Sequence, residues 1–155
     1  MENIRIRALE PTDADDIAQI YSSIIRQPVG SEFTSLIENH AQNTNDICFV
    51  AEVDGRVIGF MISYILPFSF GIEKSAWIAT LGVDPEFMGH RIGDTLARKI
   101  FKRYQEMGIQ RVYTSVPWNS VDVLSFFNHL EFERSNFINL TKNLDQIAGE
   151  EEQNT

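Results

Sequence analysis

Alternation opens the chain. Ile4, Ile6 and Ala8 interleave with Arg5, Arg7 and Leu9, which is the two-residue period of a short strand. Thr12, with Pro11 before it and Asp15 three residues on, makes a capping arrangement. Ile17, Ile20, Tyr21, Ile24 and Ile25 then recur at helical spacing, and Pro28-Val-Gly30 ends that helix. Ser31 is placed to cap a second helix carrying Phe33, Leu36, Ile37 and His40. Two apolar strands, Ile47–Val53 and Val57–Leu66, flank Asp54-Gly55, the strongest hairpin signal in the chain. Gly59 inside the second strand marks a bulge or a close approach by another element.

A surface loop, Pro67–Ser75, carries Phe68 and Phe70 at its tip, where they either line a substrate entrance or fold back on the core. The apolar run Trp77–Val83 reads as a strand and stops at Pro85, which cannot continue a ladder. A loop with Gly89 and Gly93 leads into an amphipathic helix. Ile92, Leu96, Ile100, Tyr104 and Met107 share one face of it, and Arg98, Lys99, Lys102 and Arg103 lie mostly off that face. Gly108 fits the position just past the last turn. Ile109–Val116 is the next strand, ended by Pro117. Asn119 or Ser120 can cap a last helix bearing Val123, Leu124, Phe127 and Leu130, and Phe132–Leu140 reads as a closing strand. The order is strand, two helices, three strands, helix, strand, helix, strand, with no internal repeat or linker.

At 155 residues the chain is expected to form one domain over residues 1–144, followed by a polar acidic tail, 145–155, that does not fold. Its 43% hydrophobic and 11% aromatic content suits a globular protein. The net charge of −9 argues against a nucleic-acid partner and is compatible with a cationic substrate. No apolar run approaches membrane-spanning length, so neither a membrane partner nor a targeting leader is expected, and the cytoplasm is the expected location. Cys48 is the single cysteine and sits in an apolar run, where an inert buried thiol is expected rather than a nucleophile. His40, His90 and His129 are not at metal spacing to one another, and no metal site is expected.

The candidate chemistry sits between Leu81 and Leu96. A strand, a glycine-containing loop and a helix aim unpaired N–H groups and a helix dipole at one point, where a phosphate can bind. A Walker loop is excluded, since no lysine follows Gly93. A Gly-x-Gly-x-x-Gly dinucleotide fingerprint is absent too.

Leu-Gly-Val-Asp-Pro-Glu-Phe-Met-Gly-His-Arg-Ile-Gly-Asp-Thr-Leu resembles motif A of the GCN5-related N-acetyltransferase (GNAT) superfamily, with Val83, Pro85, Gly89, Ile92, Gly93 and Leu96 in place. The order of elements from Ile4 to Leu144 is similar to that family's as well. Two positions depart: Met88 stands where Arg or Gln is usual, and Arg91 where a further glycine is common. The resemblance implies an α+β fold, a mixed but mostly antiparallel central sheet of 6–7 strands flanked by about four helices. It implies acetyl-CoA as co-substrate and direct acetyl transfer to a primary amine of a small molecule, peptide or protein. A non-catalytic acyl-CoA-binding sensor is the alternative. A homodimer is compatible with it.

By the same resemblance, Leu81, Gly82 and Val83 pair with the pantetheine arm, and a main-chain N–H there, assigned to Leu81, polarises the thioester. Met88, Gly89, His90, Arg91, Ile92, Gly93, Asp94 and Thr95 surround the pyrophosphate, while Asn119, Ser120, Phe126 and Phe127 flank the coenzyme from the last helix. The proton-transfer groups are less complete. Phe127 occupies the position of the family's tyrosine acid, with Glu131 at a family glycine, and phenylalanine has no proton to give. Ala79 and Thr80 occupy the positions of the family's strand glutamate. That leaves Glu73 as the nearest carboxylate, with Tyr64 and Tyr113 as other proton-handling groups.

Overall fold

The computed structural model describes residues 3–43, 45–67 and 73–145. They form two compact units, Met1–Pro117 and Trp118–Thr155. The first holds β1 (Arg5–Ala8), α1 (Ala14–Ile25), α2 (Ser31–Gln42), β2 (Cys48–Val53), β3 (Arg56–Leu66), β4 (Ser75–Val83), α3 (Ile92–Glu106) and β5 (Val112–Thr114). Short 3-10 turns at Pro11–Asp13 and Pro85–Phe87 precede α1 and follow β4. The strands make one sheet in the order β1-β2-β3-β4-β5, antiparallel except for β4 and β5, which run parallel.

The Asp54-Gly55 turn joins β2 to β3 with both residues at positive φ, 50° and 79°. That is the pairing a two-residue turn of matching twist requires. The sheet's two faces bury different sets of side chains. On one, Val50, Phe60 and Ile62 join Ile17 and Ile20 of α1 and Ile37 of α2. On the other, α3 lays down Ile92, Leu96, Ala97, Ile100 and Tyr104, all buried, at the spacing the sequence predicted. Met107, expected on that stripe, is exposed, because the helix ends at Glu106. Gly108 follows at φ 80°, as a helix C-terminus favours.

Gly59 marks both of the features expected of it. The ladder slips between Ala51 and Glu52, whose partners are Gly59 and Val57. A Cβ at Gly59 would also lie 2.9 Å from Ile92 Cγ2, so α3 can settle on β3 only because that side chain is missing.

The entry to α1 is capped one turn earlier than the sequence indicated. Asp13 accepts the Glu10 N–H at 2.8 Å, and Thr12 and Asp15 take no part. Asp13 is buried because Arg7 grips both of its oxygens, at 2.8 and 2.7 Å, while Arg7 Nε reaches Glu52 at 2.9 Å. This bidentate ion pair ties β1, β2 and the start of α1 together. Helix α2 begins at Ser31, with Gly30 in the capping position, so Ser31 is its first residue rather than its cap.

The second unit contains α4 (Val121–His129), which starts after Ser120 but has no side-chain cap. Phe127 is buried and meets Phe126 and Phe132 edge-on, at centroid distances of 5.2 and 4.9 Å.

The count of 6–7 strands is corrected to five, since Phe132–Leu140 forms no strand. The strict alternation that a half-buried strand needs fails there: Glu131-Phe-Glu-Arg-Ser-Asn136 is almost wholly polar, and Ile138 and Leu140 are 78% and 86% exposed. The predicted strand over Ile109–Val116 shrinks to three residues for a related reason, its leading Ile109-Gln-Arg being spent on the return from α3. The expected loop aromatics, Phe68 and Phe70, lie outside the described residues, as does the tail beyond Asp145.

Candidate active site

The site begins with a fault in β4. Ser63 pairs with Ile78 and the adjacent Ile62 with Thr80, so Ala79 is an extra residue that bends the strand. Its parallel partner stops at the same place. β4 and β5 pair only from Ala76 with Val112 to Ile78 with Thr114, and the Thr114 hydroxyl closes the ladder by donating to Ile78 O at 3.0 Å. Beyond Ile78, among the described residues, β4 is paired on its β3 side alone.

Which backbone groups that leaves open follows from alternation. The Asp84 N–H donates to Ile58 O at 2.7 Å, on the β3 side. Gly82, two residues earlier, therefore faces β3 as well, and the polar groups of Leu81 and Val83 face the open edge. Of the three strand residues expected at the site, two present their backbone there. Gly82 has a different duty: a Cβ on it would lie 2.7 Å from Ile24 Cδ1 and 2.8 Å from Phe60 Cε1, so its bareness seats α1 against β4.

The loop after β4 is held from below. Asp84 accepts the Glu86 N–H at 3.0 Å and the Arg56 guanidinium at 2.7 Å, and Phe87 donates its N–H to Asp84 O at 2.8 Å. His90 donates from Nδ1 to Phe87 O at 3.0 Å, which turns its ring into the loop. Met88, Gly89, His90 and Arg91 are all exposed. Gly89 sits at φ 89° with open space around it, so its identity is demanded by backbone conformation rather than room. Arg91, the N-cap of α3, is also left-handed, at φ 59°, and makes no side-chain cap. The Thr95 hydroxyl and N–H both turn back to Arg91 O, at 2.9 and 3.0 Å. Helix geometry leaves the N–H groups of the first turn, at Ile92 and Gly93, pointing outward along the positive end of the dipole. Asp94, in that turn, pairs with Arg98 at 2.9 Å, which offsets its charge near an anion.

These features suit a chain with an extended, hydrogen-bonding arm and a charged diphosphate. The open edge of β4 can take the arm as an added strand, and the uncapped start of α3 can take the anion.

The remaining expected residues are not all gathered there. Glu73 precedes β4 at its far end, roughly 25 Å from Leu81 at about 3.3 Å per residue. It is exposed, and its carbonyl accepts the Ser75 hydroxyl at 2.7 Å. Asn119, Ser120, Phe126 and Phe127 belong to the second unit. Cys48 is buried, and burial pushes its thiol up to about 12, consistent with an inert core residue.

A polar cluster has no signature in the sequence. His40 and Asp46 meet at 2.7 Å across the link from α2 to β2, and the His40 ring lies nearly parallel to Tyr64 of β3. Six residues separate the two partners, too many for a helical spacing rule to bring them together. The turn that closes the distance shows only in three dimensions.

The model of the acetyltransferase (GNAT) family matches residues 14–132. An acetyltransferase of Pectobacterium atrosepticum is 29% identical over 108 residues, which cover 70% of this chain and 72% of that one. An L-2,4-diaminobutyric acid acetyltransferase of Nocardia farcinica is 32% identical over 78 residues, half of this chain and 39% of its own. Among solved structures, an aminoglycoside N-acetyltransferase in complex with CoA superimposes with a TM-score of 0.80, covering 92% of this chain and 96% of its own at 14% identity. The family match spans more than half of the chain: this chain belongs to the GNAT family of acetyltransferases, and its reaction is acetyl transfer from acetyl-CoA to an amine.

Proposed function

We propose that acetyl-CoA binds with its pantetheine arm along the open edge of β4 and its pyrophosphate against the N–H groups at the start of α3. The observation that carries this reading is the bulge at Ala79, which ends the pairing with β5 and frees the Leu81 and Val83 backbone beside the left-handed Gly89–Arg91 loop. In this reading the Leu81 N–H polarises the thioester carbonyl and stabilises the oxyanion of the tetrahedral intermediate. Arg91 adds a charge-assisted contact to phosphate. The thioester is reactive already, so holding the amine against it supplies most of the acceleration.

The acceptor is read as a small polar molecule with a primary amine. Relatives are named for L-2,4-diaminobutyric acid and for aminoglycosides, both amine-bearing, and the net charge of −9 favours approach of such cations.

Isothermal titration with acetyl-CoA, on wild type and on Gly89→Glu, tests the binding mode. Micromolar binding is expected for the wild type. A loss of at least about 100-fold is expected for the variant, which combines a strained left-handed position with a charge facing the phosphates. Thiol release over a panel of amines then establishes turnover. No binding by the wild type would overturn the reading.

A further inference from the structure

We propose that His40, oriented by Asp46, accepts the proton that the acceptor ammonium must lose before it can attack. The proposal rests on the acetyl-transfer reading above and supplies what the expected base positions lack: Ala79 and Thr80 carry no carboxylate, and Glu73 stands at the wrong end of β4.

The location follows from register. Tyr64 pairs with Trp77 and Ile62 with Thr80, and directly opposed residues share a face of the sheet. Ile62 belongs to the core beneath α1 and α2, so Trp77, Thr80 and Tyr64 face the same side as His40. Tyr64 lies two residues along β3 and one strand across from Thr80, a separation of about 8 Å. On this face Thr80 is half-buried and the bulge residue before it, Ala79, is exposed, whereas Ile24 covers Gly82 at the other end. An amine resting at this opening has the open edge of β4 on one side and Tyr64 on the other, with the His40 ring stacked beyond Tyr64 at 6.3 Å, so the proposed proton transfer runs through intervening water.

The chemistry follows from the contacts. Asp46, a carboxylate, has no proton to donate, so the 2.7 Å contact is made by His40 Nδ1–H, and the neutral ring keeps its lone pair on Nε2. The two side chains are 17% and 10% exposed, shielded enough to be fixed and open enough for a substrate. Asp46 is the charged group from the α2–β2 link, and Tyr64 is the titratable group from β3. Burial, followed by Asp46, raises the Tyr64 phenol, which therefore stays protonated as a hydrogen-bond donor. Cys48 of β2 and Tyr104 of α3 also feel the Asp46 charge and are held neutral by burial.

The step balances. R–NH3+ gives a proton to Nε2, leaving R–NH2 and an imidazolium paired with Asp46. The amine attacks the thioester carbon, the C–N bond forms, the C–S bond breaks, and the proton shed by nitrogen ends on the CoA sulfur. The imidazolium returns its proton to water.

The test is the pH profile of kcat/KM for thiol release, with the best amine of the panel, in His40→Gln and Asp46→Asn, alongside acetyl-CoA titration and a thermal melt of each. At neutral pH His40→Gln is expected to lose roughly 100-fold or more in kcat/KM, as removal of a general base does. Its rate should climb with pH as free amine accumulates, while acetyl-CoA affinity is unchanged. Asp46→Asn should fall in the same direction by less. A folded His40→Gln with a wild-type profile would overturn the proposal. So would a wild type that binds acetyl-CoA but acetylates no amine, and that outcome leaves the binding mode standing. Failure of acetyl-CoA to bind the wild type overturns both.

Discussion

Gly59→Ala should loosen the helix that carries the proposed phosphate site, although the residue is not one of those proposed to hold the ligand. The new methyl would lie 2.9 Å from Ile92 Cγ2, about an ångström inside ordinary contact. Cγ2 is joined directly to the Ile92 Cβ, so it cannot swing away as the tip of a long side chain would. Ala51 Cβ at 3.7 Å and Gly82 O at 3.5 Å close the remaining directions, and Ile92 is buried. The strain can therefore be relieved only by moving the first turn of α3 off the sheet.

Overpacking of this kind costs about 1–3 kcal/mol, which for a chain of this size is a fall in Tm of roughly 5 °C. Ile92→Ala alone should cost about 2–5 kcal/mol, by leaving a cavity. The two changes should not add. Without Cγ2 the new methyl fills part of the space vacated, so Gly59→Ala should cost little or nothing in the Ile92→Ala background. Urea denaturation of the four proteins measures that coupling directly. Acetyl-CoA titration of Gly59→Ala should show weaker binding, because the N–H groups of the first turn move with Ile92. Additive costs, within about 0.5 kcal/mol, would refute the contact as the cause.

Two further outcomes follow from backbone and burial. Arg91 and Glu131 stand at family glycine positions and both are left-handed, at φ 59° and 68°, so Arg91→Gly and Glu131→Gly should each raise stability by up to about 1 kcal/mol in urea denaturation. Burial, eased in part by the Ser63 hydrogen bond, pushes Tyr104 up to about 12 from an ordinary value of 10.0, so the phenol resists ionisation in the folded state alone. Stability should hold below about pH 10 and fall as pH rises toward 12, by roughly 2–3 kcal/mol from this group. The fall should shrink in Tyr104→Phe, read by urea midpoints across that range.

Much of the architecture was legible because the apolar periods were long and clean. The helix from Ile92, the Asp54-Gly55 hairpin and the motif around Gly89 all rest on local rules that tertiary packing had no reason to override. Phe132–Leu140 departs from its expected strand for the opposite reason: four apolar residues among polar ones can be arranged as a strand only if a neighbour supplies the ladder. The resemblance marked Leu81 and Val83, yet sequence could not separate them from Gly82, because which backbone faces the open edge depends on the register set by Ile58. The departures at Arg91 and Glu131 were visible as exceptions, and their meaning needed the sign of φ. His40 shows in the sequence only as a position along the second helix, because its partner arrives through a turn that no periodicity encodes.

The geometry of the proposed phosphate site is also set from far away. Ser63 donates its one hydroxyl proton to Ile47 O, so at the 2.8 Å contact with Tyr104 it is the phenol that donates. Tyr104 to Ser63 to Ile47 is thus a one-way chain in a buried setting, where an unmade bond is costly. It pins the last full turn of α3 to β3 and to the lead-in of β2. At the other end Ile92 is seated in the gap that Gly59 leaves on the same strand. A helix of 15 residues spans about 22 Å, and one fixed at both ends to β3 can neither slide nor swivel without breaking one anchor. β3 in turn sets the register of β4, from Gly59 opposite Val83 to Leu66 opposite Ser75. One strand thereby aligns the start of α3 with the open edge of β4. The two halves of the proposed acetyl-CoA site keep their relative position because both are referenced to β3.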